Sequence, residues 1–137
     1  MTRYLLDTNV ISELRKRKPQ GAVVAWIDSL REEQIFVSAA TMGEIQSGIE
    51  RARRQDPAKA TEMENWMIQM ENLFPFLPMD VACFREWARM MDGRSGTLEP
   101  DAMIAATARV HGLTVATRNE KDFKHFDVEI FNPFKFI

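Results

Sequence analysis

Three carboxylates lie far apart in the chain, yet each stands at a junction where a side chain is easily aimed: Asp7, Glu44 and Asp101. Asp7 closes the apolar run of RYLLDTNVISEL, where strand character gives way to helix. Glu44 lies in the first turns of a helix that follows a second apolar run, and Asp101 follows Pro100 at the start of another helix. The polar cluster TRNEKDF places Thr117, Asn119 and Asp122 just after a further strand. Oxygen donors without histidine or thiolate beside them suit hard cations, Mg²⁺ or Mn²⁺, and disfavour zinc. The single cysteine, Cys83, and the two histidines, His111 and His125, form no HExxH pair or thiolate set. A carboxylate-held divalent ion activates water and neutralises phosphate oxygens, so these residues point to phosphodiester hydrolysis. No GxSxG, Walker loop or GxGxxG occurs, which leaves serine hydrolase and nucleotide-binding readings without a motif.

Each acid also has a purely local use. Asp7 can cap a helix and Asp101 can complement a helix dipole, either contribution being roughly 0.5–2 kcal/mol. Glu44, beside Ile45, can be ordinary surface. Asp101 is harder to explain that way. Ile104, Ala105 and Ala108 follow it at helical spacing, which places it on their inward face. An unpaired carboxylate there is expensive, and a bound cation offsets the expense.

The elements that must bring these residues together alternate along the chain. Tyr4 to Leu6 read as a strand, Val10 to Arg17 as a helix and Gly21 to Arg31 as a second helix. Ile35 to Ser38 form the next apolar run. Met42, Ile45, Ile49 and Ala52 then step at helical spacing, as do Met63, Trp66, Met67, Met70 and Leu73. Phe76 to Leu77 make a brief strand between Pro75 and Pro78, and Val81, Phe84, Ala88 and Met91 mark a helix that stops at the glycines of DGRSG. The helix begun by Pro100 runs to Gly112, a natural C-cap, and Leu113 to Thr117 and Val128 to Phe131 complete five strands. This order predicts an α/β fold with a mainly parallel sheet and helices on both faces. Ligands of such sheets bind beyond the carboxyl ends of the strands, and Asp7 lies at such an end.

The chain has 137 residues, 45% hydrophobic and 28% charged, which fits one globular domain over residues 1–137 and argues against disorder. No apolar run approaches the ~20 residues of a membrane span, and the N-terminus has no apolar signal core, so the cytoplasm is the expected location. A net charge of −2 does not advertise nucleic-acid binding, but 18 basic residues leave room for local patches. RKRK, Arg15 to Lys18, is expected to end the first helix, where cations complement the dipole. Arg94, in the DGRSG loop, and Arg118, between Thr117 and Asn119, are nearer the acids in sequence and are better candidates for a substrate backbone. The Met-rich helix EMENWMIQMENLF reads mostly as core, in a composition that also suits adaptable interfaces.

The blocks LLDTNVISEL, SAATMGEIQSGI, LEPDAMIAATARVHGLTVATRN and KDF…DVEIFNPF, in this order and spacing, resemble the PIN-domain family, and within it the VapC/FitB-like toxins of type II toxin–antitoxin pairs. The likeness spans nearly the whole chain. It implies a three-layer α/β/α fold with a five-stranded sheet, and a metal-dependent endoribonuclease selective for single strands. By position it implies that Asp7, Glu44 and Asp101 bind Mg²⁺ or Mn²⁺, with Thr117 and Asn119 completing the site. It further implies a homodimer and a cognate, DNA-binding antitoxin that covers the acidic pocket. Many relatives have a fourth acid where this chain has Asn119; Asp122 either substitutes for it or caps the turn before Phe123. Two other readings stand beside this one. An aspartyl-phosphate phosphatase would want an acid where Asn9 stands, and a PIN-like RNA- or protein-binding scaffold would have lost its catalysis.

Overall fold

Strands of two to four residues persist here because helices cover both faces of the sheet, so most strand side chains find a core. The computed structural model describes residues 1–94, 96 and 99–137; Ser95 of the DGRSG loop and Leu98 at the head of the LEPDAM block lie outside the described residues. β1 (Tyr4–Leu6), β2 (Ile35–Ser38), β3 (Phe76–Leu77), β4 (Thr114–Ala116) and β5 (Ile130–Phe131) form a sheet in the order β3-β2-β1-β4-β5, and every pairing is parallel.

Strand alternation divides the interior in two. Leu6, Val37 and Ala116 face a core filled by α1 (Thr8–Glu13), α2 (Gly21–Asp28), α3 (Ala39–Gln55) and α4 (Pro57–Leu73), through Val10, Val23, Trp26, Ile49 and Met67. Leu5, Val115 and Phe36 face the opposite core, built by α5 (Val81–Met91), α6 (Glu99–His111) and α7 (Glu120–Phe123), through Ile104, Ala105, Ala108 and Phe123. The result is the three-layer α/β/α arrangement. Among the described residues no helix is long and apolar enough to cross a membrane.

Several elements stop short of their periodicity. α1 ends at Glu13, not Arg17, because the buried Glu13 carboxylate pulls the chain back: Oε2 accepts from Gln20 N at 3.0 Å while Oε1 pairs with Lys16 Nζ at 2.9 Å. RKRK therefore lies in the turn after the helix, and no basic residue occupies its last turn. α2 ends at Asp28 rather than Arg31, where Ser29 Oγ donates to Trp26 O at 2.6 Å and competes with continuation of the helix. β4 loses a residue at each end relative to Leu113–Thr117, since Leu113 N turns back to Ala108 O. β5 starts at Ile130 rather than Val128, after Asp127 takes the left-handed conformation at φ 51°.

Candidate active site

Sheet register lays the floor of the site. Leu6 pairs with both Val37 and Ala116, so the next residues of three adjacent strands, Asp7, Ser38 and Thr117, leave the carboxyl edge side by side. Asp7 N donates to Ala116 O at 2.9 Å and extends that ladder by one bond. Asp7 is also the N-cap of α1, so the local and the functional use of this residue coincide.

Asp7 is 4% exposed, and its carboxylate is held from three sides. Oδ1 accepts from Thr8 N at 2.7 Å, and Oδ2 accepts from Thr117 Oγ1 at 2.8 Å and Asn9 Nδ2 at 2.9 Å. Burial pushes the Asp7 carboxyl above its ordinary range; the bonds from Thr117, Thr8 and Asn9 oppose that rise, and the nearby Glu44 charge adds to it. Glu44, on the exposed side of α3, accepts from Thr8 Oγ1 at 2.7 Å, which ties it to the residue next to Asp7.

Asp101 enters from the opposite helical layer, in the first turn of α6. Its carboxyl is pushed up to about 6, by burial first and then by the negative charges of Asp7, Asp122 and Glu44. Four acids from four separate segments thus share one electrostatic environment. None of them makes an ion pair among the described residues. Nor do any three His, Cys, Asp or Glu side chains among the described residues stand close enough to form a closed metal cage. An open, oxygen-only donor set with uncompensated negative charge fits Mg²⁺, which takes one or two carboxylates and keeps several waters.

Residues 4–129 match the PIN domain family. The chain is a PIN-domain protein. This PIN domain is 37% identical to the VapC ribonuclease Y4jK of Sinorhizobium fredii over 139 residues, covering 96% of this chain and 97% of that one. It is 38% identical to the toxin FitB of Neisseria gonorrhoeae over 138 residues, with 94% and 96% covered. Among solved structures, FitAcB from Neisseria gonorrhoeae superposes with a TM-score of 0.82 at 37% identity over 96% of this chain and 99% of that one. FitAB bound to the IR36 DNA fragment gives the same TM-score and identity over 98% and 97%.

The remaining sequence candidates fall around the acid pocket of the PIN domain in different ways. Thr117 is fully buried and serves Asp7 directly, and its Oγ1 also accepts from Asn119 N at 2.9 Å. Asn119 is exposed at the N-cap of α7 with no side-chain capping bond. It lines, with Arg118, Lys121 and Asp122, a cleft of about 350 Å³. Asp122 is exposed, and its charge reaches Asp101. The Arg118 guanidinium lies 4.8 Å over the Phe134 ring, within the same exposed corner. Arg94 is engaged elsewhere: Nη2 donates to His125 O at 2.6 Å and the guanidinium covers the Phe126 ring at 5.1 Å. It fastens its loop to the segment after α7.

Two residues of the site escaped the sequence reading. Asn9 bridges the two strand ends, since its Nδ2 donates to Asp7 while its Oδ1 accepts from Arg118 N at 3.2 Å. Thr8 aims Glu44. The signal for both was present in the run DTN, where polar side chains precede the buried Val10 and Ile11 in a helix too short to need them for solubility.

Proposed function

We propose that this PIN domain is an Mg²⁺- or Mn²⁺-dependent endoribonuclease and the toxin of a toxin–antitoxin pair. The observation that carries the reading is the convergence of Asp7, Glu44 and Asp101 on the carboxyl edge of the sheet, where burial and neighbouring negative charge raise the carboxyls of Asp7 and Asp101 and, among the described residues, no Lys or Arg pairs with any of the three. Likeness to a VapC ribonuclease and to the toxin FitB at more than a third identity supports RNA as the substrate class. Asp7 and Asp101 would hold the ion directly, with Glu44 on the ion or its water and Asp122 at the rim. When bound, the ion supplies Lewis acidity, lowering the pKa of water and neutralising phosphate oxygens. Thr117, Asn9 and Thr8 fix the Asp7 carboxylate in one orientation, and Asn119 offers a neutral oxygen beside it. Arg118 stands where it can meet the substrate backbone.

The solved FitAB assembly on DNA supports an antitoxin partner, and we extend the reading to a DNA-binding antitoxin that covers the acid pocket of this chain and to a homodimer of cytoplasmic protomers. The deciding experiment is Mg²⁺-dependent cleavage of single-stranded RNA by purified protein. Asp7→Asn and Asp101→Asn abolish it with circular dichroism unchanged; full activity in both variants rejects the proposal. One observation favours a second reading, a scaffold without catalysis: among the described residues no three acids stand close enough to form a closed cage. Calorimetric titration with Mn²⁺ near neutral pH separates the two, because a scaffold gives no binding heat.

A further inference from the structure

Two of the helices that leave the acid pocket, α1 and α3, run toward cations. α1 starts beside Asp7, and the turn after it carries Arg15. α3 carries Glu44 and, seven residues on, Arg51, on the same face because seven residues make almost two full turns. The two arginines meet Lys59, from the first turn of α4, around one cleft of about 330 Å³ that Gly48, Asp56 and Met63 also line.

The charges in this cleft are not used by the fold. Among the described residues Arg15, Arg51 and Lys59 make no ion pair, whereas their neighbours Lys16 and Arg53 do. Asp56, the acid in the cleft, is occupied as the N-cap of α4, its Oδ1 accepting from Lys59 N at 3.2 Å. Lys59 itself stands at a helix N-terminus, where the dipole disfavours a cation. Arg51 Nη1 donates to Ser47 Oγ at 3.1 Å, one turn back toward Glu44, which keeps its guanidinium on the face shared with the acid pocket.

We propose that this cleft is a phosphate subsite for the RNA strand. A strand whose reacting phosphate lies at Asp7 and Glu44 would be held by Arg15, Arg51 and Lys59 about 10 Å further along α3. The inference rests on the RNA reading above. Continuity favours a nucleic-acid strand over an acidic protein segment, since both walls of the cleft lead back to the acids. Phosphate contacts of this kind add affinity and direction without selecting bases.

The test combines Arg15→Gln, Arg51→Gln and Lys59→Gln in the full chain; all three positions are exposed and Gln preserves helix propensity. With a single-stranded oligoribonucleotide of about 12 nucleotides, KM rises roughly tenfold while kcat and Mn²⁺ affinity hold. The slope of log Kd against log salt, read by anisotropy on an Asp101→Asn background, falls by about 1–2. A dinucleotide has one phosphate and cannot occupy both positions, so wild type and triple variant cut it equally. Unchanged Kd and slope in the triple variant overturn the proposal. So does a hexaglutamate peptide that binds wild type more tightly than the oligonucleotide and is lost in the triple variant, because the occupant is then an acidic protein segment. A chain that cuts RNA with an unchanged slope sinks the subsite and keeps the nuclease. One that binds RNA through the cleft and cuts nothing does the reverse.

Discussion

Among the described residues six acids outside the pocket, Glu13, Glu50, Glu64, Glu86, Glu120 and Asp127, are matched with cations, and none of the pocket acids is. Arg53 serves Glu50 at 3.1 Å and Glu64 at 2.8 Å, Glu86 is shared by Arg89 and Arg109, and Lys135 holds Glu120 at 2.8 Å. Hydrogen bonds from Lys16, Arg53 and Lys135 lower the carboxyls of Glu13, Glu50 and Glu120, respectively. In the pocket the shifts run the other way, upward at Asp7 and Asp101, because burial and neighbouring negative charge dominate. Exposed pairs contribute only about 0–1 kcal/mol each, so the matching outside is no great source of stability. Its absence inside is the informative half of the contrast. Pairing partners three or four residues away are easy to supply on a helix, yet the fold gathers residues 7, 44, 101 and 122 and supplies none. A site that opposes its own folding in this way is a site shaped for a ligand, here one of positive charge.

The largest effect expected from breaking the contrast is on catalysis. Asp7→Asn or Asp101→Asn lowers Mg²⁺-dependent RNA cleavage by on the order of 10³-fold or more, read in single-turnover assays. The next is on metal affinity. Thr117→Val removes the 2.8 Å donor to Asp7 Oδ2 and the acceptor of Asn119 N, leaving the carboxylate free to turn. Mn²⁺ affinity falls roughly 10–100-fold by calorimetry. Chemical denaturation shows an accompanying loss of about 1–3 kcal/mol. Unaltered Mn²⁺ affinity in this variant means that Asp7 is not a ligand or needs no positioning.

Much of this arrangement is legible in the residues themselves. Asp7 could be read because a strand that ends on an acid before a helix is a local pattern, and parallel register then sets Thr117 beside it whatever the distance in sequence. Asp101 was legible from its face, since Ile104, Ala105 and Ala108 are all fully buried. What stayed hidden depends on contacts that local periodicity does not encode. The length of α1 is decided by Glu13 reaching Gln20 N across the RKRK turn. Arg94 reads as a candidate for the substrate backbone because its actual partner, His125 O, lies 31 residues away. The basic cleft was hidden for the same reason: Arg15, Arg51 and Lys59 come from three elements, and RKRK alone reads as solvated charge.

A smaller effect separates the matched acids by stability. Glu13→Gln keeps the acceptor for Gln20 N but loses the charge that Lys16 answers, and equilibrium urea unfolding registers a loss of about 1 kcal/mol near neutral pH. The Glu13 carboxyl is lowered, first by the bond from Lys16, so its contribution is present above the ordinary glutamate range and disappears as pH falls through the folded value. The gap between wild type and variant therefore closes toward acid. A gap that persists below about pH 3 assigns the loss to packing instead of charge.

The smallest effect has the opposite sign, which makes it the sharpest check on the contrast. Asp101 is raised from 3.8 to about 6, so the metal-free fold favours its protonated form. Stability from that preference is complete below about pH 4 and is lost as pH rises through about 6. Asp101→Asn mimics the protonated carboxyl at every pH. In EDTA the variant and wild type should melt together in acid, and above about pH 6 the variant should melt a few degrees higher, a difference kept modest because the carboxyl is only half-buried. Saturating Mg²⁺ reverses the order at neutral pH, since a ligand that binds only the folded wild-type pocket raises its melting point by mass action. Wild type and variant that melt alike in EDTA from acid to neutral pH would mean that the pocket acids do not press on one another. The upward shift would then no longer distinguish them from the matched acids outside.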